Sequence, residues 1–80
     1  MRIDKFLKVS RIIKRRTVAN DACDAGRVIV NGKPARASYD VKVGDIIEIG
    51  FGTRTVKAEV LEVAETVRKD AAAMMYRLVD

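Results

Sequence analysis

The dipeptide Asn31-Gly32 constrains the fold of this chain more than any other sequence feature. It directly follows the β-branched run at residues 28–30. A two-residue hairpin turn of type I′ needs positive φ at both central positions, and Asn-Gly is a pair that adopts this conformation readily. The pattern therefore predicts a hairpin over residues 27–36. Pro34 places the second strand at a sheet edge, because proline cannot donate a hydrogen bond to a strand ladder.

Three further strands are predicted downstream of the hairpin. A turn at residues 44–45 precedes an isoleucine-rich strand at 46–49, and residues 54–63 alternate between apolar and charged side chains. Such alternation is typical of an antiparallel strand with one face on the core and the other in water. We expect residues 76–79 to form the last strand and Phe51 to lie in the core.

The segment before the hairpin predicts two short helices separated by an irregular turn. Ile3, Phe6 and Leu7 follow the i, i+3, i+4 spacing, so they share one apolar face of a helix over residues 2–9. Residues 10–16 break this stripe, and the chain is expected to leave the helix there.

The second helix is predicted over residues 18–25. Thr17 precedes it and is expected to be its N-cap, because a threonine hydroxyl accepts a hydrogen bond from a free amide of the first turn. Gly26 follows it and suits the left-handed conformation that often ends a helix. Cys23 is interpreted as a small buried side chain, since nothing in its surroundings indicates a lowered thiol pKa.

These elements indicate an α+β fold, with two short helices packed on a small, mostly antiparallel sheet and one or two helical turns within residues 67–74. Eighty residues correspond to one domain. A chain of this length buries only about 60% of its unfolded surface, so its core is small. We assign residues 1–80 to a single domain, with a core motif over 2–64 and a short C-terminal extension over 65–80.

Positive charge is concentrated in residues 2–36. This stretch holds ten of the sixteen Lys and Arg residues and three of the eleven acids, a net charge of +7, whereas residues 37–80 carry six basic and eight acidic residues, a net charge of −2. Such an asymmetry is the footprint of a polyanion-binding face. The ten cationic residues are Arg2, Lys5, Lys8, Arg11, Lys14, Arg15, Arg16, Arg27, Lys33 and Arg36.

Four of these cations are crowded into the turn that follows the first helix. Arg11, Lys14, Arg15 and Arg16 lie within six residues, and no acid stands beside them in the sequence. They repel one another, so we expect a polyanion to supply the countercharge. A solvated surface patch is the alternative interpretation.

The composition argues against catalysis and against a metal site. The chain has no His, the commonest general base, and only one Cys, so it lacks zinc ligands at any known spacing. The sequence also offers no nucleophile–base pair and no phosphate-cradling glycine loop. We expect no cofactor and no enzymatic activity.

The sequence gives no sign of membrane insertion or secretion. Its longest uncharged apolar run covers residues 71–76, far less than the ~20 residues that a membrane-spanning helix needs. A secretory signal needs an apolar run of roughly 7–15 residues, and none follows the charged first residues. A cytoplasmic protein is therefore expected.

Among polyanions, the pattern favours folded RNA. A helix-turn-helix protein reads DNA with its second helix, but the helix predicted at 18–25 has no basic residue and carries Asp21 and Asp24. Proteins that bind single strands stack bases on aromatic side chains. This chain has four aromatic residues, and Tyr39 is interpreted as structural. Because RNA helices are recognised by shape and phosphate contacts, all ten cations are candidate RNA-binding residues.

The order and spacing of several motifs resemble the RNA-binding domain named after small-subunit ribosomal protein four, the S-four domain, over roughly residues 2–50. The matching motifs are Arg2-Ile3-Asp4-Lys5-Phe6-Leu7, Ser10-Arg11, Thr17 through Ala25-Gly26, Val28-x-Val30-Asn31-Gly32, Ser38 and Val41-x-Val43-Gly44-Asp45-x-Ile47. The resemblance implies the S-four-like fold, also called the alpha-L motif, and RNA binding.

The chain also resembles the RqcP family of bacterial ribosome-associated quality-control factors, through residues 8–11, residues 14–17 and a short tail after the sheet. The resemblance implies binding to obstructed large ribosomal subunits that carry peptidyl-tRNA, with contacts to rRNA and to the P-site tRNA. It also implies a partner on the same subunit, the RqcH-type factor that extends the stalled chain with alanine. The residues implied in these RNA contacts are Arg2, Arg11, Lys14, Arg15 and Arg16. We expect the chain to be a monomer with no membrane partner.

Three other functions stay open from the sequence. The chain could be a generic rRNA-binding assembly factor or a heat-shock recycling factor of the large subunit. It could also be a module whose basic face meets acidic protein, or a subunit or fragment of an RNA-modifying enzyme.

Overall fold

One layer of the fold is a five-stranded sheet, described for residues 1–79 in a computed structural model. The strands in chain order are β1 (Val28–Val30), β2 (Lys33–Pro34), β3 (Ile46–Phe51), β4 (Arg54–Val60) and β5 (Tyr76–Leu78). They lie in the order β2-β1-β3-β4-β5, and every pairing is antiparallel. The α+β architecture is confirmed, and its sheet is antiparallel throughout.

The Asn31-Gly32 turn joins β1 to β2 as the sequence predicts. The two residues have φ values of 52° and 85°, and Pro34 lies on the edge strand. Asp45 fixes this turn from the next loop, because its buried carboxylate accepts hydrogen bonds from Asn31 Nδ2 at 3.0 Å and from the Tyr39 hydroxyl at 3.1 Å. Tyr39 therefore has the structural role expected of it.

Three helices complete the fold within residues 1–79. They are α1 (Ile3–Val9), α2 (Arg16–Asp24) and the single turn α3 (Lys69–Ala72). Ile3, Phe6 and Leu7 are fully buried in one core cluster with Ile47 and Ile49 of β3. Because burial of a large apolar side chain contributes about 1.5–3 kcal/mol, this cluster fixes α1 relative to the sheet.

The second helix starts two residues earlier than predicted. The expectation that Thr17 is its N-cap is wrong, because Arg15 takes that position, with an extended backbone and no side-chain bond to a free amide. Arg16 is the first helical residue and reaches Asp4 from there, so the second helix does contain a basic residue. The C-terminal end agrees with the prediction, since Gly26 has a φ of 74°.

Phe51 is 40% exposed, so its expected place in the core is wrong. It has the same alternation along β3 as the buried Ile47 and Ile49, but it is the last residue of the strand, opposite Arg54. At this end Phe51 lines a shallow hollow with Val18 of α2. β3 extends two residues further than the predicted strand at 46–49, and its last residue lies beyond the core.

Candidate RNA interface

Asp4 links the N-terminal ends of α1 and α2. Its carboxylate is 2% exposed and lies in the first turn of α1. Arg2 donates to both carboxylate oxygens, at 3.2 and 3.3 Å, and Arg16 donates at 3.5 Å. Asn20 donates at 3.3 Å, and the backbone N–H of Lys5 donates at 2.8 Å. We call the side chains of Arg2, Asp4, Arg16 and Asn20 the Asp4 cluster.

The Asp4 cluster keeps a carboxylate ionised inside the fold. Burial alone raises the pKa of Asp4, but hydrogen bonds from Arg2, Asn20, the Lys5 backbone and Arg16 outweigh it, so the pKa lies below its ordinary value of 3.8. The two guanidinium groups are about half exposed, at 50% and 47%. Since a guanidinium has five N–H donors, each can bind Asp4 and still donate to a phosphate.

The turn after α1 points cations outward and apolar side chains inward. Arg11 has a φ of 64°, a left-handed conformation that is unfavourable for a residue with a Cβ. Its N–H donates to the carbonyl of Lys8 at 3.0 Å, and the N–H of Ile13 donates to the carbonyl of Leu7 at 3.0 Å. These bonds close the helix end, so Ile13 is buried while Arg11 stays exposed.

A groove of about 850 Å³ lies beside α1 and the turn. The six cations that line it are Lys5, Lys8, Arg11, Lys14, Arg16 and Lys69. Glu65 also lines it, so the groove residues carry a net charge of +5, which equals the formal net charge of the whole chain. The remaining charges of the chain therefore sum to zero. We call this groove the cationic groove.

Acids lie closer to the cations than the sequence order suggests. The expectation that no acid neutralises the crowded cations is wrong for Arg16, which pairs with Asp4. Lys5 also has a partner, Glu65, which is 60 residues further along the chain. Within residues 1–79, seven of the ten candidate cations have no ion-pair partner: Lys8, Arg11, Lys14, Arg15, Arg27, Lys33 and Arg36.

The structure brings five of the ten candidate cations into the groove and places the other five outside it. Arg2 joins the groove residue Arg16 through the Asp4 cluster and lines a second hollow with Arg36. Arg15 is exposed just before α2. Arg27 lies in the hollow at Phe51, and Lys33 lies on the edge strand β2. The candidates therefore form one concentrated site with outlying members.

Sequence reasoning missed three residues of this site. Lys69 comes from the half of the chain with net negative charge, and Glu65 precedes it by four residues, so neither has a local signal. Asp4 does have a local sequence signal, because it is the only acid among the first twenty residues. A lone acid within a basic segment indicates an ion-pair partner as well as a favourable helix end.

Cys23 is free and buried, which confirms its structural interpretation. Burial, followed by the charges of Asp4 and Asp24, raises its pKa to about 11. Over residues 1–79, no three His, Cys, Asp or Glu side chains come together as metal ligands. In that same range no helix is long and apolar enough to cross a membrane.

Comparison with known proteins agrees with the geometry. The S4 domain family model matches residues 1–47. The chain is 51% identical over 78 residues to the RQC P-site tRNA stabilizing factor of Bacillus subtilis, which covers 98% of this chain and 91% of that protein. It is 52% identical over 79 residues to the protein of the same name from Streptococcus pneumoniae, with coverages of 99% and 90%.

A solved structure has the same fold as this chain. The trimeric structure of Vibrio cholerae Heat Shock Protein 15 matches with a TM-score of 0.91 at 28% identity, over 99% of this chain and 81% of that chain. The family match covers more than half of the sequence, and the relatives cover nearly all of it. This chain therefore belongs to the S4 domain family.

Proposed function

We propose that this chain binds folded RNA on the large ribosomal subunit and stabilises the P-site tRNA there during ribosome-associated quality control. One structural observation carries the RNA-binding part: the cationic groove holds the entire positive excess of the chain. The ribosomal context rests on relatives of about 50% identity named RQC P-site tRNA stabilizing factor. The proposed site of action is the cytoplasm.

The proposed mechanism is electrostatic and geometric. The groove cations neutralise phosphates of rRNA and tRNA, and Arg2 and Arg16 are held in fixed positions by Asp4. Guanidinium groups suit this role because their planar array of donors matches phosphate oxygens. Stabilisation of a tRNA needs no bond making, so we propose a non-enzymatic, single-domain factor. It supports C-terminal alanine addition by an RqcH-type factor on the same subunit.

The ten candidate residues are proposed to contribute unequally. Lys5, Lys8, Arg11, Lys14 and Arg16 line the groove, so they are proposed as the main RNA contacts, with Arg2 joined to them through Asp4. The outlying cations are proposed to add weaker, peripheral phosphate contacts: Arg15, Arg27, Lys33 and Arg36.

The test is binding to purified large subunits, with and without a tRNA in the P site, over a series of KCl concentrations. We expect tighter binding with the tRNA present. Six phosphates neutralised by the groove give a slope of log affinity against log salt of about −4 to −5. A slope near zero would reject the phosphate-binding mechanism, and equal affinity for both kinds of subunit would reject the P-site role.

Arg16→Ala sharpens this test. We expect it to weaken binding and to make the slope shallower by about one unit, because one phosphate contact is lost. Arg54→Ala is the matched control, since Arg54 is an exposed cation on β4 outside the groove. Equal effects of the two substitutions would mean that net charge, and not the groove, determines binding.

A second candidate function is supported by the similarity to Heat Shock Protein 15. In this case the chain would act as a generic large-subunit assembly or recycling factor, and its affinity would not depend on a P-site tRNA. We propose a monomer in solution, although the solved neighbour is described as trimeric. Light scattering at the concentrations of the binding assay distinguishes the two states.

A further inference from the structure

Glu65 is the only carboxylate among the residues that line the cationic groove within residues 1–79. Its Oε2 forms an ion pair with Lys5 Nζ. The hydrogen bond from Lys5, the Lys5 charge and more distant charges that include Arg16 lower the pKa of Glu65, against a small opposing effect of burial. A carboxylate in this position presents two anionic oxygens to groove cations, as a phosphodiester does.

The Lys5–Glu65 pair is exposed enough to be exchanged. Glu65 is 71% exposed and Lys5 is 34% exposed. Surface ion pairs contribute little free energy and are screened by salt. An RNA phosphate that is also held by neighbouring groove cations can therefore displace the carboxylate.

The segment that carries Glu65 is held in place by other contacts. Val63, Ala64 and Val67 pack against the core cluster. The N–H of Leu61 donates to the carbonyl of Met75 at 2.8 Å. The segment is therefore anchored without the ion pair, so the fold does not require Glu65 at this position.

We propose that Lys5 forms a phosphate subsite of the cationic groove, which Glu65 occupies in the free chain and a phosphodiester of bound RNA takes over. This inference rests on the proposed RNA-binding function. The consequence is selectivity for polyanions. A single small anion gains too little binding free energy to displace a carboxylate that is tethered to the same chain, whereas RNA gains enough because several of its phosphates bind along the groove.

The test compares Glu65→Gln with Glu62→Gln, using large subunits with a P-site tRNA as the probe at low KCl. Both substitutions remove one negative charge from the same segment, but Glu62 does not line the groove. We expect Glu65→Gln to raise affinity about threefold to fivefold, the size of one surface ion pair. Glu62→Gln is expected to change it less than about 1.5-fold.

Lys5 gives an independent measurement. Lys5→Ala loses one phosphate contact, but it also removes the ion pair that RNA must break, so it should weaken binding about threefold to fivefold less than Lys8→Ala does. In the Glu65→Gln background the two lysine substitutions should have equal effects. This double-mutant cycle isolates the coupling between Lys5 and Glu65.

The outcomes distinguish failure of the phosphate subsite from failure of the proposed RNA-binding function. Equal affinities of Glu65→Gln and Glu62→Gln, with salt-dependent binding retained, would overturn the phosphate subsite alone. Unchanged affinity on Lys5→Ala in the Glu65→Gln background would also overturn it, because Lys5 would then make no phosphate contact in the complex. Loss of salt-dependent binding by the unsubstituted chain would instead remove the proposed function beneath it.

Discussion

Asp4→Asn is the substitution that best tests how the Asp4 cluster works. The amide keeps one acceptor oxygen, which can still receive the backbone N–H of Lys5, but it replaces the other with an NH₂ group. At this oxygen Arg2 Nη2 and Asn20 Nδ2 each lose an acceptor at 3.3 Å and face a donor instead. A hydrogen bond to a buried carboxylate contributes about 1.5 kcal/mol at the low end, and the half exposure of Arg2 reduces its own contribution to about 0.5 kcal/mol, so the total loss is about 2 kcal/mol.

The same substitution predicts how stability depends on pH. The pKa of Asp4 is lowered by folding from 3.8. The group therefore contributes its full stabilisation above the unfolded-state pKa and loses it as pH falls through the folded-state pKa. The difference in unfolding free energy between wild type and Asp4→Asn should be constant from pH 5 to 7 and should shrink below about pH 4.

The assay is thermal and urea unfolding followed by circular dichroism. A loss of about 2 kcal/mol lowers the Tm of a domain of this size by roughly 8–16 °C. Asp21→Asn, an exposed acid on α2, is the control and should change stability by less than about 0.5 kcal/mol. Equal Tm values for Asp4→Asn and wild type at pH 7 would refute the energetic role of the cluster.

RNA affinity gives the sharper refutation of the positioning role. Asp4→Asn raises the net charge by one, so simple electrostatics predicts tighter binding. If Asp4 positions Arg2 and Arg16, binding to large subunits should weaken instead. Tighter binding by a folded Asp4→Asn variant would show that the two guanidinium groups need no fixed orientation.

Two further predictions concern the backbone and the thiol. Arg11→Gly relieves the φ of 64° and should stabilise the fold by about 0.5–1 kcal/mol, seen as a higher Tm, while it weakens RNA binding; a lower Tm would contradict the strain. Cys23, with its pKa raised to about 11, should resist alkylation by iodoacetamide at pH 8 and react once urea unfolds the chain, whereas rapid labelling of the folded protein would contradict its burial.

The parts of the fold that the sequence predicts are those with local causes. The positive φ values at Asn31-Gly32 and the spacing of Ile3, Phe6 and Leu7 depend on residues that are neighbours in the chain. Such signals need no knowledge of the tertiary structure, so the hairpin, the apolar helix face and the strand alternation are all observed.

The parts that the sequence does not predict depend on distant contacts. Arg16 reaches Asp4 across 12 positions, and Lys5 reaches Glu65 across 60. Arg16 is also the first residue of α2, so Thr17 lies inside the helix and the cap expected there does not form. Sequence order alone cannot show that either acid lies among the cations, and so it overstates the repulsion within the basic segment.

Asp4 and Glu65, the two acids that pair with candidate cations, should have opposite effects on RNA affinity because their burial differs. Asp4 is 2% exposed and holds two guanidinium groups, so RNA cannot displace it and its charge serves to position them. Glu65 is 71% exposed and holds one ammonium group, so RNA can take its place. Removing either negative charge changes the net charge equally, yet Asp4→Asn should weaken RNA binding and Glu65→Gln should strengthen it. If the two substitutions change RNA affinity in opposite directions, the position of each acid must matter. If they change it in the same direction, total charge alone governs binding.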